Sequence, residues 1–241
     1  VAAVTEALKA RLARATLGDP STEGVRMGPL VGRDQAVDVQ SKVDQLAGEC
    51  EILLGGGQEF AIEGADNASG AFYPATLLHC DDPFNKLLAH EVEAFGPVST
   101  VMPYESIDDA VASARLGKGS LVGSLYTFDD KEARDVILAT APYHGRMLVL
   151  NRDCAGESTG HGSPLAGLVH GGPGRAGGGE ELGGARAVKH YLQRTAIQGS
   201  PTSMMAVTGE YHPGARAHSD DIHPFKKHIE DHNIGESLFT H

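Results

Sequence analysis

The sequence is poor in cysteine, in positive charge and in long apolar runs. Three cysteines occur in 241 residues, Cys50, Cys80 and Cys154, far apart and odd in number. They form neither a disulfide framework nor a zinc spacing, so a reducing, cytoplasmic location is expected. A sequon at Asn67 has no meaning in that setting. Lys and Arg number 20 against 32 Asp and Glu, a net charge of -12. That balance argues against nucleic acid and anionic membranes as partners. No apolar run reaches the length of a membrane span. The opening VAAVTEALKARLARA is neither a signal peptide nor a transit sequence. His228 and His232 share a helical spacing but lack an HExxH arrangement and a third ligand. They read as a solvated surface, and no metal is expected.

What is present suits a globular α/β chain. With 41% hydrophobic residues, there is enough for one large or two modest domains with a full core. Val4, Leu8, Leu12 and Ala15 recur at helical spacing and predict a first helix with one buried stripe. Gly18-Asp19-Pro20 ends it. Asp34 is placed to cap a second helix, with Val37, Val43 and Leu46 inward. A short strand over 51–54 ends in three glycines. Residues 72–79 read as a strand whose Pro74 puts it at an edge or a strand start. Residues 98–102 read as a buried strand. A capped helix from Ser106, a strand over 121–128, a helix capped by Asp129 or Asp130 and a strand over 145–150 follow. Strand, helix, strand with short links predicts parallel βαβ units.

Two stretches carry chemistry. In HEVEAFGPVST, residues 90–100, Glu93 and Phe95 stand beside Gly96 and Pro97 at the lip of a strand. A carboxylate accepts hydrogen bonds from a diol, and a ring gives a flat apolar wall. The second stretch follows Leu150, where the carboxyl end of a parallel strand favours a ligand site. Asn151, Arg152, Asp153 and Cys154 open it, with His161 near in sequence. A thiol–imidazole pair is conceivable there, but a place in a pocket wall is the expected role of Cys154.

The run from Gly172 to Gly177 matches G-x-G-x-x-G. Gly183 and Gly184 would break the required helix, and no acid stands where a ribose needs one. A loop that lets backbones pack closely is the preferred reading. Residues 199–224 are polar and hold Pro201 and Pro213, which predicts a linker.

Taken in order, several motifs resemble the C-terminal half of the aldehyde dehydrogenase superfamily. These are Gly18-Asp19-Pro20 with Gly28-Pro29-Leu30, Gly55-Gly56 with Pro74-Ala75-Thr76, Glu93-Ala94-Phe95-Gly96-Pro97, and Leu150-Asn151. The passage NRDCAGESTGHGSPLAGLVHGGPGRAGGGEELGG, with HYLQRTAIQG after it, is narrower. It resembles the bifunctional branch of phenylacetate degradation, a semialdehyde dehydrogenase fused to a MaoC-like hydratase acting on oxepin-CoA. Residues 225–237 look like the entry to that hydratase. The semialdehyde dehydrogenase of the benzoyl-CoA route shares much of the glycine-rich region.

The resemblance implies a catalytic-domain sheet with an outlying strand over 187–199 that pairs with another subunit in a homo-oligomer. Domains are then expected over 1–198, with the linker to 224 and a truncated hydratase from 225. It implies NADP or NAD as cofactor, held by Glu93 at the nicotinamide ribose with Phe95 beside it. It implies a CoA-linked semialdehyde as substrate, lodged near Asn151 to Cys154. A thiolate attacks the aldehyde in this family. None of the three cysteines stands in that motif, so the nucleophile and base are expected upstream of Val1. Both ends look cut, and the chain is expected to be a fragment. A non-catalytic assembly module is the rival reading.

Overall fold

The computed structural model describes residues 1–57, 59–66, 68, 70–158, 160, 171–177 and 191–216. The chain divides into two compact units, Val1–Ser106 and Ile107–His241. Each holds a three-stranded sheet. No helix among the described residues is long and apolar enough to cross a membrane.

The first unit contains α1 (Ala2–Leu12), α2 (Arg33–Leu46), β1 (Glu51–Leu54), β2 (Thr76–His79), α3 (Leu88–Glu91) and β3 (Val98–Val101). The strand order is β1-β2-β3. β2 and β3 run parallel, whereas β1 is antiparallel to β2. β2 is therefore central, and Pro74 lies before its start, because a proline inside a central strand would lack a ladder donor. Helix α2 packs Val39, Val43 and Leu46 inward. Val37 was expected among them but is 71% exposed. It lies two residues from Val39, so it falls on the opposite side of a 3.6-residue turn. Gly32 is the N-cap, and Asp34 sits in the first turn instead, where a carboxylate meets the positive helix end. The apolar stripe of α1 is not buried either: Val4 is 60% exposed.

The second unit contains α4 (Ile107–Leu116), β4 (Ser120–Tyr126), α5 (Asp130–Thr140), β5 (His144–Leu150), β6 (Ala196–Gln198) and α6 (Pro201–Thr208). β4, β5 and β6 form a wholly parallel sheet in that order. The side chain of Asp129 caps α5 by accepting from the Glu132 amide at 2.9 Å. Ala133 and Ile137 of α5, Met147 and Val149 of β5 and Val207 of α6 make one core.

Two expectations change here. The described end of the outlying strand, Ala196–Gln198, pairs with β5 of its own chain. The composition of β6 allows either partner, and the buried β5 offers a free parallel edge. The segment read as linker begins with α6, whose Met205, Ala206 and Val207 are buried. Ser200 caps this helix, Pro201 takes its first position and Gly209 ends it in a left-handed conformation. Those are ordinary helix signals, and the polar surroundings obscured them.

The glycine-rich run packs as its composition suggests. A Cβ on Gly172 would lie 1.7 Å from the Gly177 carbonyl oxygen, and one on Gly174 would lie 1.9 Å from that of Lys118. The Arg175 amide donates to Lys118 at 3.1 Å. A 3-10 turn over Gly174–Ala176 stands where a nucleotide-binding helix would have to begin. His161, Asn67 and residues 225–241, with His228 and His232, lie outside the described residues.

Candidate functional site

The turn from Glu93 to Val98 is fixed from three directions. The Gln35 side-chain amide of α2 donates to the Phe95 carbonyl at 2.7 Å. Gly96 lies so close to α2 that a Cβ there would be 2.6 Å from Val39 Cγ2. The Pro97 carbonyl accepts from the Thr76 amide at 2.8 Å, and the Val98 amide closes back on Gly96 at 2.8 Å. The last bond makes a three-residue turn about Pro97. β3, expected to be buried, is only half-buried, with Ser99 exposed.

Phe95 adopts φ +48, a region that bulky L-residues avoid. The residue is 73% exposed. An aromatic side chain held in a costly backbone and turned to solvent gains nothing from core packing. Such outliers persist where surrounding structure imposes them, often at ligand clamps. Glu93 is exposed beside it. A cavity of about 400 Å³ is lined by Glu93, Ala94 and Phe95 together with the apolar Leu46, Val92 and Met102. Its acceptor and ring are of the kind that takes a sugar diol attached to a flat heterocycle. Glu91 ends α3 and does not line this cavity.

The stretch after β5 folds differently from a simple pocket wall. Asn151 Oδ1 accepts from the Asp153 amide at 3.0 Å, and its Nδ2 donates to Ser203 Oγ at 3.3 Å. Arg152 lies over the Phe128 ring at 3.9 Å. Asp153 and Cys154 line a cavity of about 240 Å³ with Glu157, Ser158 and Ser200. Asn151 and Arg152 are not among its lining residues. The Cys154 thiol faces the Val149 carbonyl at 3.4 Å. Glu93 and Phe95 belong to the first unit, and Asn151 to Cys154 to the second.

Sequence reasoning missed Gln35, which lies 60 residues from its partner, and no local pattern signals it. It also missed Ser203, whose hydroxyl donates to Asp130 Oδ1 at 3.0 Å and lies 3.0 Å from Ser200 Oγ. The helix signals around Ser200 could have found that cluster. Among the described residues no group of three His, Cys, Asp or Glu could hold a metal ion.

A profile of the aldehyde dehydrogenase family matches residues 1–197. The chain is 52% identical over 215 residues to Protein MaoC of Klebsiella aerogenes, covering 89% of this chain and 62% of that protein. It is 40% identical over 171 residues to 3,4-dehydroadipyl-CoA semialdehyde dehydrogenase of Aromatoleum evansii, covering 71% and 33%. A solved betaine aldehyde dehydrogenase of Staphylococcus aureus, in complex with NAD+, shares the fold. Its TM-score is 0.55 at 22% identity, covering 77% of this chain and 35% of that one. The chain thus spans less than two thirds of each of these proteins.

Proposed function

The chain belongs to the aldehyde dehydrogenase family, and we propose on that footing that the whole protein oxidises a CoA-linked semialdehyde to its acid with NADP or NAD. The observation that carries the cofactor assignment is the turn holding Phe95. Its strained backbone, exposed ring and neighbouring carboxylate form one wall of a cavity. Glu93 would accept hydrogen bonds from the vicinal hydroxyls of the nicotinamide ribose, and Phe95 would limit where that ribose sits. The nicotinamide supplies the hydride acceptor when bound. The pair positions, and position is costly to lose in hydride transfer.

The acyl-CoA reading draws on likeness to the proteins named above. Phenylacetate catabolism is favoured by the resemblance of the glycine-rich passage and of residues 225–237 to the bifunctional branch. On that reading the parent is also an enoyl-CoA hydratase acting on oxepin-CoA. The benzoyl-CoA-route enzyme is the second reading, favoured by the 40% identity to its named relative. A panel of acyl-CoA semialdehydes separates the two. Asp153 and Cys154 are proposed to face the substrate, with Asn151 holding the turn and Arg152 its outer side. The dehydrogenase module would run through α6, with any linker beginning after Thr208. A homo-oligomer in the cytoplasm completes the proposal.

The test is Glu93→Gln in the full-length enzyme. It keeps the shape and removes the charge that strengthens the two hydrogen bonds. Cofactor affinity should fall about tenfold, the worth of one charged hydrogen bond, or single-turnover hydride transfer should slow. Glu91→Gln should leave both unchanged. The reverse pattern would overturn the assignment of the two carboxylates.

A further inference from the structure

β1 and β2 run antiparallel with Glu51 opposite His79 and Ile52 opposite Leu78. One step outward, this register sets Cys50 opposite Cys80. Directly opposed residues send their side chains to one face. Both thiols accordingly lie in one apolar cluster with Leu46 and Leu78, and Ile52 packs against it. The Cys50 amide donates to Leu46 at 2.8 Å, and the Cys80 amide donates to Val101 at 2.9 Å. Neither amide is spent across the pair, so this is a non-hydrogen-bonded position. Cα atoms at such positions approach to about 4.5 Å, inside the range of roughly 4.4–6.8 Å that a disulfide spans.

We propose that Cys50 and Cys80 are a redox-modification site, closed to a cross-strand disulfide by a small peroxide. Cys50 is 6% exposed and Cys80 is fully buried, so the oxidant meets Cys50 first. The Cys50 thiolate attacks one peroxide oxygen, the O–O bond breaks, and the departing hydroxide takes a proton to become water. Cys50 is then a sulfenic acid. The Cys80 sulfur attacks the Cys50 sulfur, the S–O bond breaks, and the departing hydroxide takes the proton released by the Cys80 thiol. Two thiols and one peroxide become one disulfide and two waters.

The site is slow by construction. Burial, then the Cys80 and Glu49 charges, push the Cys50 thiol up to about 11, with Lys86 acting weakly the other way. Thiolate is scarce at neutral pH, so sustained oxidant closes the pair and a brief pulse does not. The bond would tie the residue before β1 to the residue after β2. Leu46, Val98 and Met102 of the same cluster line the cavity at Glu93 and Phe95, so oxidation would stiffen that cavity's floor. The proposal does not depend on which substrate the enzyme takes.

The experiment uses the chain carrying Cys154→Ser, which leaves two thiols. It is incubated natively with hydrogen peroxide, alkylated, digested without reductant and measured by peptide mass spectrometry. A peptide pair joined through Cys50 and Cys80, lighter by two hydrogens and separated by reductant, is expected. In Cys80→Ser, dimedone should trap Cys50 as a sulfenic acid. Cys80→Ala provides the same reading if the serine variant fails to fold. A Cys50 sulfinic acid beside a free Cys80 thiol would overturn the proposal. So would disulfides joining separate chains, or two intact thiols after methionines have oxidised.

Discussion

At Phe95 and Gly96 the usual division of roles is exchanged. The left-handed backbone falls on the aromatic residue, and the close approach falls on the glycine. Their substitutions should therefore have opposite signs. Phe95→Gly removes the side chain of a residue that is 73% exposed, losing little burial, and relieves the left-handed conformation. It should raise stability by about 1 kcal/mol while weakening the cofactor wall. Gly96→Ala brings a methyl into Val39, which is fully buried on α2. It should cost about 2 kcal/mol, as overpacking does. Urea denaturation of Gly96→Ala, Val39→Ala and the pair would test the cause. The double variant should be less destabilised than the sum of the singles. Additive costs would mean that Gly96 is needed for its backbone and not for its lack of a side chain.

Helices and strands were legible where a local signal sufficed. Asp129 capping α5 and the parallel β4 and β5 follow from nearest-neighbour chemistry, whereas the strand read over 72–79 forms only from Thr76, past Pro74. Packing partners were less legible, because the period of a helix gives a stripe and not what covers it. Val37 and the α1 stripe show this on the first unit. The strand over 187–199 was expected to pair with another subunit, and its described end pairs with β5 instead, since an edge strand accepts whichever ladder is free. α6 was misread through composition: capping and termination signals stood at Ser200, Pro201 and Gly209, but the polar tail dominated the reading. Its attachment rests on Ser203, fully buried and bonded to both Asn151 and Asp130. Asp130 Oδ2 is buried with no hydrogen-bond partner among the described residues. Ser203→Ala would leave the other carboxylate oxygen without its donor as well. The expected loss is about 2–3 kcal/mol. Asp130→Asn combined with Ser203→Ala should recover part of it in thermal unfolding. No recovery would show that the loss comes from the contacts of the Ser203 hydroxyl with Asn151 and Ser200 and not from its bond to Asp130.

At the scale of the molecule, the two candidate surfaces belong to separate units. Cys50 and Cys80 are buried side by side, and the raised Cys50 thiol is a poor attacking group at neutral pH. Cys154 lines the cavity of about 240 Å³. Its sulfur faces the Val149 carbonyl and lies 3.6 Å from Asn151 Oδ1. Both are hydrogen-bond acceptors for the thiol. No described histidine is hydrogen-bonded to it. A covalent aldehyde oxidation needs a thiolate held near a base and a hydride acceptor in line. The 241-residue chain as it stands should accordingly form no NADPH or NADH from aliphatic, aromatic or acyl-CoA aldehydes, even at high enzyme concentration. Absorbance at the reduced-nicotinamide band over hours measures this directly. The informative variant is Cys154→Ser. If the chain turns over and this variant abolishes the turnover, Cys154 is the nucleophile. If trace turnover survives in Cys154→Ser, it belongs to a contaminant. The cavity at Glu93 and Phe95 should still bind nicotinamide mononucleotide weakly in the isolated chain, because its wall is fixed by Gln35, Val39 and Pro97 within one unit. Gln35→Ala should loosen that binding, and an unchanged affinity would show that the Phe95 turn holds its shape without the side-chain anchor.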